Sequence, residues 1–414
     1  MTGVEAARRL LASSRLRELG RSRFDGEAFL TGGSLRDRLL GLPTRDLDLA
    51  VTGDPRAAAE GLAERTAGSC FPLGRAPFVT WRVRWGDDQV DVWGIAGGIE
   101  PDVLRRDFTV NAMFWRLPRG PLLDLVGGLD DLAAGRVRVV RPENLRDDPL
   151  RVLRGVRLLA THPQLRLTAE TERLLGAAAR GLAGVARERV CEELSKLLAG
   201  RAAARALAVA ARIGVLQVLV PQWEGYRHAP EATALAGELA ARRSGRGRLA
   251  RGAADVAPAV LAAPACAFPD PWRAEAAVAA LAAIGWPARA AERAAAAAAL
   301  GERLAPLLGR DARAQRELAA DAGDLLDAAL AWAVARGTTD GAHLLPPALA
   351  LLAWQRRFAA RPQLLSGDEI AVLLALPPGP ERGDAVRALR RARARGDVRT
   401  AAQARRHLAS RTPR

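Results

Sequence analysis

The hydrophobic period changes once along this chain, and that change limits the folds open to it. Up to about residue 140, FLTGG (29–33), LDLAV (47–51), FVTWRVRW (78–85) and QVDVWG (89–94) read as strands separated by helical or loop segments. From Asp147 on, leucines and alanines recur every three or four residues through 149–161, 168–180, 187–199 and 201–213, and the helical pattern runs almost to the end. The predicted class is α+β: an N-terminal head around a small mixed or antiparallel sheet, then an all-helical remainder. Alternating Trp and Val in FVTWRVRW, followed by GDDQ and VDVW, predict an antiparallel hairpin.

Composition narrows the class further. The 414 residues carry 62 Lys+Arg against 46 Asp+Glu, a net charge of +16, which points to a polyanionic partner. The inference is weakened because Lys196 is the only lysine in an arginine- and alanine-rich sequence. A hydrophobic fraction of 49% excludes wholesale disorder. No apolar run can span a bilayer, since the stretch 277–300 is cut by Arg289, Glu292 and Arg293. The N-terminal segment mixes charges with leucines at helical spacing, so no secretory signal and a cytoplasmic location are expected. Cys70, Cys191 and Cys266 are too few and too scattered for a disulfide framework or a zinc site and read as apolar residues. ARRSGRGRLARG (241–252) reads as a basic, solvated loop, and the alanine-rich tract 288–300 as plain helix. No protein partner can be inferred.

Three clusters can carry chemistry. In FLTGGSLRDRLLGLPTRDLDLAVTGDP (29–55), Gly32, Gly33 and Ser34 stand between a strand and a helix, where backbone N–H groups, a hydroxyl and a helix N-terminus can hold phosphate. Asp46 and Asp48 are two apart on a predicted strand, so their carboxylates leave the same face. Asp91, between Val90 and Val92 of the hairpin, adds a third acid on an adjoining strand. Oxygen ligands of this kind suit Mg2+, which keeps water and substrate phosphate oxygens in its shell. Two such ions could bridge an attacking hydroxyl and a departing pyrophosphate in an in-line displacement, and a nucleoside triphosphate is then the natural ligand for the glycines.

The second cluster is LRRDFTVNAMFW (104–115), where Arg105 and Arg106 would neutralise a triphosphate and Asp107 or Asn111 could hold a ribose hydroxyl. The third is NLRDDPLRVLRGVRLLA (144–160). Pro149 suits the first turn of a helix and Asp148 its N-cap, while Arg151, three residues on, lies on the same side as Asp148. One acceptor beside one forked donor matches the Watson–Crick edge of cytosine or adenine and mismatches uracil and guanine, at a cost of roughly 1–3 kcal/mol. Capping and base reading are compatible, because a carboxylate has spare lone pairs. Arg154 lies further round the helix, within reach of phosphate.

With these residues in view, the chain resembles the class II tRNA nucleotidyltransferases, the family of bacterial CCA-adding enzymes and related poly(A) polymerases. GGSLRDRLLG with RDLDLA looks like the catalytic motif, RRDFTVNAM the ribose-contacting motif, DDPLRVLRGVR the nucleotide-selecting motif, and RERVCEELSKLL (187–198) the helix that follows. The resemblance implies a nucleotidyltransferase head (1–140), a neck (141–205), a body (206–310) and a tRNA-gripping tail (311–414). It implies metal ligation by Asp46 and Asp48, with Asp91 less secure, and nucleotide contacts by Gly32, Gly33, Ser34, Arg36, Arg106, Asp107, Asn111 and Arg154. Base reading falls to Asp148 and Arg151. The implied reaction adds cytidines, with the terminal adenosine open, to the tRNA 3′ end from CTP and ATP with Mg2+ and no nucleic-acid template.

One departure bears on that reaction. Between VDVW and LRRDFT the family usually has a longer, flexible, basic segment, whereas here only GIAGGIEPDV (94–103) intervenes, which resembles the subgroup that adds the two cytidines alone. No His-Asp dipeptide occurs, so the phosphohydrolase domain of some relatives is not expected. A poly(A) polymerase and an inactive RNA-binding relative are the rival readings.

Overall fold

The computed structural model describes Leu19 and residues 24–44, 46–74, 79–95, 97–221, 229–243, 247–262, 273–336 and 341–410. Its contacts divide the chain into two units, Met1–Val185 with Ile213–Val215, and Ala186–Arg212 with Leu216–Arg414. The change of hydrophobic period reappears as the change of architecture: the sheets lie in the first unit, and the described elements of the second are helical.

The first unit is built on a mixed sheet of seven strands: β1 (Ala28–Thr31), β2 (Asp46–Val51), β3 (Ser69–Leu73), β4 (Thr80–Trp85), β5 (Asp88–Gly94), β6 (Phe114–Arg116) and β7 (Leu122–Leu123). Their order is β3-β4-β5-β2-β1-β6-β7, and β2 with β5 is the one parallel pair. The expected hairpin is β4–β5, closed by Gly86 and Asp87 so that Trp85 faces Asp88. Residues 78–79 precede the strand, and Phe78 lies outside the described residues.

Alternation sorts the side chains onto two faces. Leu30, Leu47, Leu49, Val83, Val90 and Val92 are fully buried on one. On the other, the register lines up Arg82, Asp91, Asp48 and Thr31 across β4, β5, β2 and β1. That second face is half apolar: Phe29, Ala50 and Phe114 pack with Val103 and Trp93 in a small core beside the polar row.

Helix α1 (Gly32–Leu39) follows β1 with no intervening residue. Helix α2 (Pro55–Thr66) starts with proline in its first turn, and the Asp54 carboxylate accepts the Arg56 N–H at 2.9 Å. Helix α3 (Ile99–Leu104) is reached from β5 by a tight connection in which the Ile95 N–H donates to Val51 and the Gly98 N–H to Ile95, each at 2.9 Å. The segment from Phe108, alternating in sequence, forms a one-turn 3-10 helix at Thr109–Asn111 instead of continuing as a strand.

After α4 (Gly128–Ala133) comes β8 (Arg136–Val137), which pairs in parallel with β9 (Arg166–Leu167). Between them lie α5 (Glu143–Asp147) and α6 (Leu150–Thr161), and α7 (Ala169–Ala178) follows. Helix α6 buries Leu150, Val152, Leu153, Val156, Leu158 and Leu159. A Cβ at Gly155 would stand 2.7 Å from Phe108 Cζ, so only glycine lets α6 lie this close to the RRDFT segment.

The second unit uses small residues to bring helices together. Helices Arg248–Val256, Ala288–Leu304 and Leu326–Arg336 pack with Gly252 against the Asp327 carbonyl and Gly301 against Trp332. Trp332 is fully buried, and its indole N–H donates to Glu302 at 2.8 Å. Helices Gly367–Leu373, Pro380–Arg395 and Ala401–Ala409 share a separate core of Leu365, Ile370, Leu389, Val398 and Leu408. The basic segment 241–252 departs from the expected loop: residues 241–243 end one helix and 248–252 begin the next, with 244–246 outside the described residues. The first 18 residues and Cys266 also lie outside them. Cys70 is half-buried and Cys191 buried, both free thiols. Among the described residues no helix is long and apolar enough to cross a membrane.

Candidate active site

Asp48 is the centre of the site. It stands on β2 directly beside Asp91 of β5, and Asp46 leaves the same face two residues earlier, exposed where Asp48 is half-buried. The start of α1 lies against it: a Cβ on Gly32, whose φ is +70°, would come within 2.8 Å of Asp48 Oδ2. The Ser34 N–H points at the same oxygen at 3.4 Å. Burial pushes the Asp48 carboxyl above the usual carboxylate range, against the opposing pull of the Arg106 guanidinium and the Ser34 amide. An arriving cation would offset the cost of the charge on a carboxylate so placed.

Arg106 is aimed at this corner by three supports. Its Nη2 and Nε donate to Asp102 Oδ2 at 2.7 and 3.1 Å, and its Nη1 donates to the Asn111 carbonyl at 3.1 Å. The guanidinium also stacks against Trp93 and Phe114, 5.5 and 4.9 Å from the ring centres. Arg105 pairs with the other oxygen of Asp102 but is exposed. Asp102 and Trp93 escaped the sequence reading, although Asp102, three and four residues before the two arginines on a helix, carries the spacing of an ion pair.

Several expected nucleotide contacts turn out to be spent inside the protein. The Ser34 hydroxyl braces the strand-to-helix turn: it donates to the Thr31 carbonyl at 2.8 Å and accepts the Asp48 N–H at 3.0 Å. Asp107, expected at a ribose, is 6% exposed and accepts from the Phe108 N–H at 2.8 Å and Asn111 Nδ2 at 3.0 Å. Its second oxygen meets Arg154 Nε at 2.9 Å, which accounts for the arginine assigned to phosphate. Burial alone would raise the Asp107 carboxyl, but Arg154, the Asn111 amide and the Phe108 N–H hold it below the usual range. Asn111 in turn accepts from Arg36 Nη1 at 2.6 Å, and Arg36 Nε donates to Asp37 at 2.8 Å, so Arg36 and Asn111 are structural partners. His162, just past α6, closes this chain through Nε2 to Asp37 at 2.8 Å. The three sequence clusters are therefore tied into one network running from α1 to α6.

Asp91 shares the face with Asp48, and both its oxygens are held by Arg82, Nε at 2.7 Å and Nη2 at 2.8 Å. The two-residue turn of the hairpin fixes Arg82 opposite Asp91, a pairing that counting back from the turn would have found. Among the described residues, no group of three or more His, Cys, Asp or Glu could hold a metal alone. The donor set fits a hard cation that takes two carboxylates from the protein and completes its shell from phosphate oxygens.

At α6, Asp148 lies one residue outside the expected helix boundary: it is extended (φ −139°), Pro149 occupies the cap, and the Asp148 carbonyl accepts the Arg151 N–H at 3.0 Å. Arg151 is close enough to Asp107 to stabilise its charge, and Arg151 Nη1 is buried without a hydrogen-bond partner. Such a donor is costly unless a ligand meets it.

A mixed sheet presenting an Asp-x-Asp strand beside a Gly-Gly helix start defines a nucleotidyltransferase head. The Poly A polymerase head domain profile matches residues 28–95 and 95–138, and that of the probable RNA and SrmB-binding site of polymerase A matches 164–226. The A-adding tRNA nucleotidyltransferase of Deinococcus radiodurans is 34% identical, over 92% of this chain and 95% of its own length. The CC-adding enzyme of Geobacter sulfurreducens is 32% identical over 92% and 91%, and that of Thermus thermophilus 42% identical over 47% and 45%. A CCA-adding enzyme solved with ATP superposes with a TM-score of 0.71 at 22% identity, covering 96% of this chain and 94% of the other. The chain belongs to the tRNA nucleotidyltransferase family, and it is a nucleotidyltransferase.

Proposed function

We propose that this enzyme adds cytidines from CTP to the 3′ end of tRNA, without a nucleic-acid template, and that the unsatisfied Arg151 Nη1 is the donor that reads the incoming base together with Asp148. Relatives named as tRNA nucleotidyltransferases along nearly the whole chain support the substrate, and a tRNA substrate puts the enzyme in the cytoplasm. Asp46 and Asp48 hold Mg2+ in this reading. When bound, the metal polarises the α-phosphate and offsets the charge developing on pyrophosphate. Gly32 lets the chain pass close to Asp48 Oδ2, and Arg106, fixed by Asp102 and two aromatic rings, would offset the charge of a triphosphate held there. The primer hydroxyl attacks the α-phosphorus and the bond to pyrophosphate breaks. We assign residues 1–140 as head, 141–205 as neck, 206–310 as body and 311–414 as tRNA-binding tail.

The tight β5–α3 connection supports cytidine addition alone, since it leaves no room for a long flexible loop between the catalytic strand and Arg106. The A-adding relative favours a second reading, transfer of AMP onto tRNA already ending in CC. One assay separates them: tRNA ending at the discriminator base and tRNA ending in CC are each offered CTP or ATP. The expected result is two cytidines on the first and nothing on the second. Adenosine on the second would establish the other specificity, and long adenosine tails on generic RNA would identify a poly(A) polymerase.

In the same assay Arg151→Ala is expected to narrow the preference for CTP over UTP by about 10- to 100-fold, the loss of a buried charged hydrogen bond. Unchanged selectivity would remove Arg151 from the base.

A further inference from the structure

The acidic row on the sheet is already occupied at one end by a cation of the protein's own. Arg82 chelates Asp91 through two short hydrogen bonds, and β5 sets Asp91 directly beside Asp48. The Gln89 amide oxygen, in its favourable orientation, also accepts from Arg82 at 3.1 and 3.2 Å. Asp46 and Asp48 lie close enough to add to the field on the same guanidinium. Arg82 and Asp91 are 30% and 22% exposed, so the pair stands at the mouth of the site and not in the core.

We propose that Arg82 is a positioning residue that withholds Asp91 from the metal, so that the protein supplies the ligands of Asp46 and Asp48 alone and the ion is held firmly only with its nucleotide. The inference rests on the reading of Asp46 and Asp48 as the metal pair. Its physical basis is competition: a bidentate guanidinium engages both oxygens of Asp91 and offsets its charge, so a metal that draws on Asp91 has to compete with Arg82 for it. Three unpaired carboxylates would bind a divalent ion without substrate; two, with a guanidinium alongside, bind it weakly.

The test is Mn2+ binding to the full-length protein without nucleotide, followed by the loss of the free Mn2+ paramagnetic resonance signal. Arg82→Gln is expected to tighten binding at least ten-fold by releasing Asp91, and the double variant Arg82→Gln, Asp91→Asn to return to the wild-type affinity. Asp91→Asn alone should stay within two-fold of wild type, and it carries the test if Arg82→Gln does not fold. Ten-fold weakening in Asp91→Asn, or no tightening in a folded Arg82→Gln protein, would overturn the assignment. Tight binding by Arg82→Gln that survives Asp48→Asn would sink the metal pair itself, and the role of Arg82 with it.

Discussion

Asp48→Ala is expected to lower the rate of CMP transfer by about three orders of magnitude or more while the protein keeps its fold and its affinity for tRNA. Asp48 is the one carboxylate of the row that meets the start of α1, the Arg106 corner and the neighbouring strand at once. Its loss removes the carboxylate nearest Gly32, yet Arg106 remains held by Asp102 and the Asn111 carbonyl. The fold should not suffer, because burial already opposes the charge on Asp48. An acid whose folded pKa is raised contributes stability that is complete below its unfolded pKa and is lost as pH rises through the folded value. At neutral pH, without divalent ions, Asp48→Asn should therefore melt at or above the wild-type temperature, and the difference should close on acidification. CTP incorporation with thermal melts at two pH values checks both halves. Near-wild-type turnover would end the metal role of Asp48.

Asp107→Ala should behave in the opposite way, as a defect of stability before it is one of nucleotide binding. The buried carboxylate joins the Phe108 N–H, the Asn111 amide and Arg154, and Asn111 passes the connection on to Arg36. Removing it leaves buried donors unmet, a loss of about 3 kcal/mol. For a unit of this size that is a fall of roughly 6–12 °C in melting temperature. Arg154 is partly exposed, so the hydrogen bonds carry more of this than the ion pair. Because the folded Asp107 is held below its usual range, its contribution is present above the unfolded pKa and lost as pH falls through the folded value. The gap between wild type and variant should thus shrink in acid. A raised KM for CTP with unchanged melting would restore Asp107 to the ribose.

These two residues show where reading the chain succeeds and where it stops. Asp46 and Asp48 share a face for a local reason: in a strand, residues two apart point the same way whatever surrounds them. The hairpin and the strand-to-helix turn at Gly32 are local as well, since a short turn and a residue free of Cβ announce themselves. Asp107 was expected at a ribose and Asp91 as a further acid beside Asp46 and Asp48, because one sequence lists acids without their partners. Arg154 lies 47 positions from Asp107 by number, and Arg36 meets Asn111 across 75.

The strands β1, β2, β4 and β5, the passage from a sheet-bearing head to a helical remainder, and the shared face of Asp46 and Asp48 were determined by the sequence, because each follows from side-chain periodicity and turn chemistry over a few neighbouring residues; the short strands β3 and β6 to β9 were not. Which carboxylates remain open was decided by tertiary structure alone. An ionised group is free or spent according to what arrives within about 3 Å of it, and for Asp91, Asp107 and Arg151 that neighbour, or its absence, depends on how distant segments pack.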